Sequence, residues 1–247
     1  MSGGLRVIPL RGLPELEDGD DLGTLLVEAA GLAGGLEHED VIVVAQKAVS
    51  KVEGRIVQLE TIEPSERARE LAGDTDPRRL EVILREAREV LRVRPPLVIA
   101  ETRHGFVCAS AGVDASNARG PDTLVLLPLD PDASADRLRN AVREHTGVEV
   151  GVIVSDSFGR AWRRGTTDVA LGVSGIAALV DLTGQLDAAG YELHATEIAV
   201  ADQIAGAAQL VMGKTDGIPA AIVRGLDAPG EGRGSDLLMP RERDLFR

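Results

Sequence analysis

Two short, uninterrupted apolar runs constrain the fold of this 247-residue chain more than any other feature. Val41–Ala45 reads VIVVA, and residues 152–154 form a second run of β-branched side chains. Continuous runs of this length and composition are typical of buried strands. Amphipathic helical patterns lie between and around them, so we expect strands and helices to alternate along the chain. Because aromatic residues make up only 2% of it, Val, Leu, Ile and Ala must fill the core.

Other patterns place the remaining elements. Asp21 and the pair Asp76-Pro77 are typical helix starts, and Gly147 is typical of the position after a helix end. We expect helices at residues 22–32, 77–94, 134–145 and 196–212. We expect further strands at residues 5–10, 55–59, 97–102, 106–110, 123–127 and 220–223, with a hairpin turn at 103–105. The sequence predicts one domain over 1–247, with an inserted helical subdomain around 64–94.

Charge and cysteine content exclude several classes of protein. The net charge of −13 argues against nucleic acid or an anionic membrane surface as a partner. The only cysteine, Cys108, cannot form an intramolecular disulfide, and its apolar surroundings in the sequence favour a buried structural thiol. The N-terminus lacks the apolar core of a signal peptide, and no apolar stretch approaches the ~20 residues of a membrane span. We expect a cytoplasmic protein.

Residues 151–172, GVIVSDSFGRAWRRGTTDVALG, carry the strongest functional signal. The apolar run is expected to end at Val154 and to lead into a polar loop containing Asp156. Three arginines, Arg160, Arg163 and Arg164, follow it and surround the only tryptophan, Trp162. A carboxylate suited to a hard cation, beside guanidinium groups suited to phosphate or carboxylate, indicates a metal–phosphate site. The alternative is a strand end followed by a solvated basic loop.

Two other segments contain candidate ligand-binding side chains. Residues 109–117, ASAGVDASN, lead from a strand to Asp114 and Asn117, which either ligate a cation or stabilise a turn. The similar placement of Asp156 favours two carboxylates that converge on one divalent ion. Lys47 and Lys51 follow the VIVVA run one helical turn apart, where they either hold phosphates or are ordinary surface lysines.

Several common catalytic patterns are absent from the sequence. There is no GxxxxGK[ST] phosphate loop and no GxGxxG after a strand, so a bound nucleotide would need another kind of site. The four histidines share no ligand spacing that would indicate a zinc site. No Ser-His-Asp or Cys-His arrangement can be recognised.

Taken together, four segments resemble the F420-0:γ-glutamyl ligase family. They are QKAVSKVEGR (46–55), SAGVDASN (110–117), SDSFGRAWRRGTTDVALG (155–172) and TEIAVADQIAGAAQLVMGK (196–214). The similarity runs from about Val7 to the C-terminal DLFR. It implies an α+β fold with mixed sheets and flanking helices, and an intertwined homodimer. It also implies addition of L-glutamate to the lactyl carboxylate of coenzyme F420-0 while GTP becomes GDP and phosphate.

The resemblance further implies a set of cofactors and site residues. The cofactors are Mg²⁺ or Mn²⁺ at two positions, with K⁺ assisting. By matched position, the metal ligands are Asp114, Asp156 and Ser157. The GTP site is implied to comprise Leu13, Pro14, Glu15, Leu16, Gln46, Lys51, Asn117, Met212, Gly213, Lys214, Thr215, Asp216, Gly217, Ile218 and Pro219. Lys51 with Arg160, Arg163 or Arg164 is expected to stabilise the transferred phosphoryl group or the anionic substrates.

Some features depart from the family pattern or leave alternatives open. Some relatives have an acidic or uncharged polar residue where this chain has Lys214, which predicts either weaker binding of the second metal or a phosphate contact instead. We expect no nitroreductase-like domain of the kind that some actinobacterial relatives carry. The number of glutamates added stays open. The alternatives are a non-catalytic nucleotide-binding protein and a metal-dependent phosphohydrolase.

Overall fold

The computed structural model describes residues 4–118, 120 and 122–246. The strands are β1 (Arg6–Leu10), β2 (Val41–Ala45), β3 (Ile56–Gln58), β4 (Ala87–Arg94), β5 (Leu97–Thr102), β6 (Val107–Ala109), β7 (Thr123–Val125), β8 (Gly151–Arg160), β9 (Arg163–Ser174), β10 (Val180–Asp181), β11 (Glu197–Ile198) and β12 (Ala220–Arg224). The helices are α1 (Leu22–Leu32), α2 (Gln46–Val52), α3 (Glu66–Ala72), α4 (Pro77–Glu86), α5 (Pro131–Thr146) and α6 (Val200–Met212).

The largest sheet has five strands in the order β1-β12-β2-β8-β9. The β2 and β8 strands are parallel, with Val41 opposite Gly151 and Ala45 opposite Ser155. The β12 strand runs antiparallel to both β1 and β2, and β9 runs antiparallel to β8. The ends of β1 and β2, the start of β12 and the middle of β8 therefore meet at one edge of the sheet.

Helices cover both faces of this sheet because its strands are apolar on both sides. Ile42, Val44, Val152 and Val154 pack on one face with apolar residues of α1, α2 and α5. Val41, Val43 and Ile153 point to the other face and pack against α6. The period-two alternation of the strand side chains supplies both cores. The predicted α+β class, with several sheets and flanking helices, is confirmed.

A third core lies outside the large sheet. It joins α3 and α4 to the three-stranded sheet β4-β5-β6 and to the β3-β7 pair, through residues such as Leu80, Ile83 and Leu124. The predicted hairpin is confirmed, since β5 and β6 pair antiparallel with Ile99 opposite Ala109. This layer positions Asp114, which forms a bridge with Val125 of β7.

The predicted helix over residues 77–94 is wrong in its second half. Helix α4 ends at Glu86, and residues 87–94 form β4, which pairs antiparallel with β5. The apolar spacing of Leu84, Ala87 and Leu91 fits a helix, but the ladder with β5 satisfies the backbone of this segment instead. The inserted segment is therefore a mixture of helices and strands.

Two other element boundaries differ from the sequence prediction. The strand expected to end at Val154 continues to Arg160, because β9 pairs with it as far as Arg163 opposite Arg160. Asp156 therefore lies within a strand and not in a loop. Residues 197–198 form β11, which pairs with β10, so α6 begins at Val200 and not at residue 196.

The start of α5 crosses β9 at very short range. A Cβ atom on Gly172 would lie 2.0 Å from the carbonyl oxygen of Pro131, so only glycine fits there. Asp132 strengthens the same contact, since its Oδ1 accepts hydrogen bonds from the N–H groups of Val173 (2.8 Å) and Gly234 (2.7 Å). Among the helices described, none is long and apolar enough to cross a membrane.

Candidate functional site

A cleft of about 660 Å³ opens at the edge where the strand ends meet. Its walls are the segment after β1, the start of α2, the middle of β8 and the loop between α6 and β12. The lining residues are Leu13, Pro14, Glu15, Leu16, Ala45, Gln46, Lys47, Lys51, Asn117, Ala118, Ser155, Asp156, Ser157, Asp168, Met212, Gly213, Lys214, Thr215, Gly217, Ile218 and Pro219. A cleft of this size is within the usual range for small-molecule sites.

Three carboxylates, Asp114, Asp156 and Asp168, and two lysines, Lys47 and Lys214, lie in or directly beside the cleft. Lys47 Nζ donates a hydrogen bond to Asp114 Oδ2 at 2.6 Å, which pairs this lysine with the first carboxylate. The Lys214 ammonium interacts electrostatically with Asp168. Among the residues described, neither Asp156 nor Asp168 forms an ion pair, but Asp168 accepts hydrogen bonds from the hydroxyls of Ser155 and Ser157. Asp156 is therefore the carboxylate left for a ligand cation.

The surroundings of these carboxylates shift their pKa values in different directions. Burial raises the pKa of Asp156 to about 7, and the charges of Asp114 and Asp168 add to this effect, whereas Lys47 opposes it. Burial also acts to raise the pKa of Asp114, but the hydrogen bond from Lys47 outweighs it and the net pKa is lowered. The concentration of negative charge around Asp156 favours a bound cation.

Hydrogen bonds fix the orientation of Ser157. Its hydroxyl donates to Asp168 Oδ1 at 2.5 Å, the cross-strand neighbour in the β8–β9 register. Gln209 of α6 accepts from the Asp168 N–H through Oε1 (3.1 Å), and its Nε2 donates to Ser157 Oγ (3.4 Å). The serine proton and one lone pair are thereby used, which leaves one lone pair for a ligand.

Gln46 presents an unused donor to the cleft. Its side chain is 1% exposed, and its Oε1 accepts a hydrogen bond from Ser50 Oγ at 2.9 Å. Its Nε2 is buried and has no partner among the described residues. A buried donor without a partner is costly, so this amide indicates that the site is built for a ligand with an acceptor atom.

The second lysine of α2, Lys51, also lines the cleft. Lys51 Nζ donates to Glu15 Oε1 at 2.5 Å, and both side chains line the cleft. Lys47 and Lys51 are one turn apart on α2, as the sequence predicted. The loop opposite them is held to the sheet by the Ala45 N–H, which donates to the Pro219 carbonyl at 2.8 Å.

The structure brings most of the predicted site residues together. All predicted nucleotide-site residues except Asp216 line the cleft, and so do Asp156 and Ser157 of the predicted metal ligands. Asp114 is joined to the lining through Lys47. Arg160 and Arg163 lie at the exposed tip of the β8–β9 hairpin and do not line the cleft.

Sequence reasoning did not find Asp168. This residue is 6% exposed, lines the cleft and accepts the Ser157 proton. The sequence feature that could have indicated Asp168 is its position immediately before the apolar run Val169-Ala170-Leu171. Asp156 likewise lies close to the end of an apolar run. Only the antiparallel register of the two strands shows that the two segments face each other.

The side chains at this site fit a hard divalent cation in their chemistry. Carboxylate and hydroxyl oxygens are the ligands that Mg²⁺ and Mn²⁺ prefer. Within the described ranges, no group of three or more His, Cys, Asp or Glu side chains is already arranged around a metal position. Asp156 and the free lone pair of Ser157 would therefore need oxygen atoms from a ligand to complete the coordination, as is usual for Mg²⁺ bound with phosphates.

Comparison with known proteins identifies the family of the chain. Residues 12–225 match the family model described as F420-0:gamma-glutamyl ligase. The chain belongs to the F420-0:gamma-glutamyl ligase family. It is 48% identical over 217 residues to the coenzyme F420:L-glutamate ligase of Methanocaldococcus jannaschii, covering 86% of each chain. It is 44% identical to the coenzyme F420:L-glutamate ligase of Methanothermobacter thermautotrophicus, covering 99% of each.

A third relative extends the similarity over the whole length. The coenzyme F420:L-glutamate ligase of Methanopyrus kandleri is 45% identical, with 99% of this chain and 100% of the relative covered. Membership of the F420-0:gamma-glutamyl ligase family at this identity and coverage confirms the resemblance read from the sequence and makes the chain a ligase.

Proposed function

We propose that this chain joins L-glutamate to coenzyme F420-0 and converts GTP to GDP and phosphate, in the biosynthesis of coenzyme F420. The observation that supports this function best is the composition of the cleft. Asp156, which forms no ion pair among the described residues, lines it together with Lys47 and Lys51 of α2. Gln46 adds a buried donor that has no partner among the described residues. A site for a metal–nucleotide complex needs these features. The names of the relatives, coenzyme F420:L-glutamate ligase, support F420 and L-glutamate as substrates.

The first chemical step transfers the γ-phosphoryl group. A lactyl carboxylate oxygen attacks the γ-phosphorus, the bond to the β-phosphate oxygen breaks, and GDP leaves. When bound, Mg²⁺ or Mn²⁺, with K⁺ assisting, would neutralise the negative charge on the phosphates. Asp156, Ser157 and Asp114 would hold these ions, and Lys51 and Lys214, which line the same cleft, would contact phosphate oxygens.

The second step forms the amide bond. The glutamate amine attacks the activated carbonyl carbon, phosphate leaves, and the new ammonium loses a proton. Gln46 Nε2, a buried donor without a partner among the described residues, would donate to an acceptor on the nucleotide or on the carboxylate. In the proposed reaction, the cleft walls Leu13–Leu16 and 212–219 would shield the acyl phosphate from water.

An end-point assay tests the proposal. Purified protein is incubated with F420-0, L-glutamate, GTP and Mn²⁺ or Mg²⁺, and the product is analysed by mass spectrometry. We expect a product heavier by one or more glutamyl units, which is absent without GTP or with EDTA. The mass also counts the glutamates added.

The same assay separates the two alternatives. Phosphate release from GTP without F420-0 and glutamate would identify a metal-dependent phosphohydrolase. Bound but unconverted GTP would identify a nucleotide-binding protein without turnover. We also propose that the active form is a homodimer, which analytical ultracentrifugation at assay concentrations checks directly.

The contacts of Gln209 give a prediction for the metal. Replacing Gln209 with Met removes the donor to Ser157 Oγ and the acceptor of the Asp168 N–H, so only the bond to Asp168 still orients Ser157. Loss of such an outer partner typically weakens metal binding by roughly 10–100-fold, and we expect Mn²⁺ affinity, measured by electron paramagnetic resonance of free Mn²⁺, to fall at the lower end of that range.

A matched control lies on the same helix. Gln203→Met changes an exposed α6 residue and is expected to leave Mn²⁺ affinity unchanged. In a Ser157→Ala background, Gln209→Met should have no additional effect on Mn²⁺ binding, because the side chain it orients is gone. Equal effects of Gln209→Met in both backgrounds would show that it does not act through Ser157.

A further inference from the structure

A small apolar cluster joins the strand that carries Asp156 to the layer that carries Asp114. It consists of three buried side chains and two that pack against them, and we call it the interlayer cluster: Phe106, Leu127, Leu171, Phe158 and Leu238. Phe158 belongs to β8 of the large sheet, whereas Phe106 immediately precedes β6 of the other layer. Their ring centroids are 6.3 Å apart and the ring planes stand at 79°, which is the favourable edge-to-face arrangement.

The cluster lies next to Asp156. Phe158 follows Asp156 by two residues in β8, so both side chains leave the same face of the strand. Cys108 follows Phe106 by two residues and lies on the same side of the contact. Burial raises the pKa of the Cys108 thiol to about 12, and the nearby charge of Asp156 adds to the rise. The Phe106–Phe158 contact is therefore one step along the strands from the proposed metal ligand.

The other side of the cluster supports the segment that leads to Asp114. A Cβ atom on Gly112 would lie 2.6 Å from Leu127 Cγ, so the backbone just before Asp114 rests directly on Leu127. Asp114 and Asp156 are close enough for the charge of one to act on the pKa of the other. The packing of the interlayer cluster thus contributes to the separation of these two carboxylates.

The C-terminal segment reaches this cluster after crossing the large sheet. We call residues 230–241 the C-terminal strap. Gly234 lies so close to β9 that a Cβ atom there would be 2.0 Å from the Leu171 carbonyl oxygen. Its N–H donates to Asp132 Oδ1 at 2.7 Å, which fixes the start of the strap to both β9 and α5.

The far end of the strap is fixed to the other layer. Leu238 covers the turn between β5 and β6, since a Cβ atom on Gly105 would lie 2.9 Å from Leu238 Cδ1. Arg241 then forms ion pairs with Glu89 of β4 and Glu101 of β5. The strap is therefore attached to both layers, and Leu238 is the strap residue that enters the interlayer cluster.

We infer that Leu238 is a positioning residue for the metal site, because through Phe106 and Phe158 it holds Asp114 and Asp156 at the separation that a divalent cation needs. The inference rests on the proposed function, which takes these two carboxylates as metal ligands. Leu238 does not line the cleft, so its effect must pass through the cluster. A cavity of about 220 Å³ beside it gives the two rings room to shift when the side chain is shortened.

Binding of Mn²⁺ alone tests the inference, measured by electron paramagnetic resonance of free Mn²⁺ without substrates. We expect Leu238→Ala to lower Mn²⁺ affinity roughly fivefold, the lower end of typical coupling between two sites. Leu238→Met conserves the volume and apolar contact, so it should restore the wild-type affinity. In an Asp114→Asn background, Leu238→Ala should have no further effect, because the carboxylate that it helps to place is gone.

The only cysteine gives a second readout that involves neither metal nor turnover. Cys108 is 7% exposed, so a chromogenic disulfide reagent reaches its thiol only when β6 moves away from β8. We expect Leu238→Ala to label faster than the wild type by a factor similar to the loss of Mn²⁺ affinity. Saturating Mn²⁺ should slow the labelling of the wild type.

Two controls separate positioning from a general loss of stability. Leu245→Ala changes a leucine beyond the strap that is 91% exposed, and it should leave Mn²⁺ affinity and Cys108 labelling unchanged. Val142→Ala shortens a fully buried side chain of α5 in a different core. It should lower the Tm and leave Mn²⁺ affinity unchanged.

The inference is wrong if Leu238→Ala binds Mn²⁺ as the wild type does, or if its Cys108 labels at the wild-type rate. Equal losses of affinity in Leu238→Ala and Val142→Ala would also overturn it, and so would a wild type that binds no Mn²⁺ with or without GTP. Failure of the proposed function is seen separately, as absence of the glutamyl mass increase, because neither measurement here requires turnover.

Discussion

Asp156→Asn is expected to abolish ligation and, in the absence of metal, to make the protein more stable. The asparagine keeps the shape of the side chain but removes the charge that we propose holds the cation. Loss of outer-shell partners already costs roughly 10–100-fold in metal affinity or activity, so loss of a direct ligand should exceed that range. The mass-spectrometric assay at saturating GTP and Mn²⁺ measures the ligation activity that remains in Asp156→Asn.

The gain in stability follows from the raised pKa of Asp156. Its pKa is about 7 in the folded protein, against 3.8 for an unperturbed aspartate, so the folded state binds a proton more tightly than the unfolded state. Between pH 4 and 7 the Asp156 carboxyl therefore destabilises the wild type increasingly as the pH rises, and Asp156→Asn lacks this contribution. Above pH 7 the difference in stability between Asp156→Asn and the wild type is at its largest and no longer changes with the protonation of Asp156.

Thermal denaturation in EDTA tests the stability of this variant. We expect the Tm of Asp156→Asn to exceed that of the wild type by several degrees at pH 8 and to equal it near pH 4. Asp74→Asn is the control, because Asp74 is exposed. A Tm difference that is the same at both pH values would show that burial of the Asp156 charge is not its cause.

Gly172→Ala is expected to have the largest effect on folding of any single-methyl addition to the large sheet. The new Cβ would lie 2.0 Å from the Pro131 carbonyl oxygen and 2.8 Å from the Asp132 nitrogen. Both atoms belong to the backbone, so the start of α5 must move away from β9. Overpacking of this kind costs roughly 3 kcal/mol or more, because no flexible side chain can yield.

Circular dichroism of the melting transition measures the loss. At roughly 2–4 °C per kcal/mol for a protein of this size, the Tm should fall by about 10 °C. Gly159→Ala is the matched control on the same hairpin, since a Cβ there meets nothing within 4 Å. A Tm within two degrees of the wild type for Gly172→Ala would contradict the steric argument.

Local patterns predicted the buried elements well. The spans Val41–Ala45 and Leu22–Leu32 were predicted with the boundaries that the structure has, because a continuous apolar run and an Asp N-cap are local signals. The strand character of 87–94 was missed, because it depends on pairing with β5. Long-range pairing is not visible in hydrophobic periodicity.

The site was predicted in the same uneven way. Gln46, Asp156 and the loop 212–219 were placed together through the family resemblance, and the structure brings them to one edge of the sheet. Asp168 was missed because its role depends on the register that sets it opposite Ser157. The orientation of the Gln46 amide, which leaves its Nε2 donor free, depends on the hydrogen bond from Ser50 to its Oε1. A sequence motif does not show this contact.

The position of β12 has a consequence for how the protein is made. This strand is the last of the sheet in sequence, yet it lies between β1 and β2, and β1 pairs with no other strand of the sheet. On the ribosome, the N-terminal strand must wait for residues 220–224 to emerge. The segments that wall the cleft, after β1 and before β12, are therefore brought together only when translation is nearly complete. A nascent chain that stalls earlier exposes two unpaired strand edges to neighbouring chains.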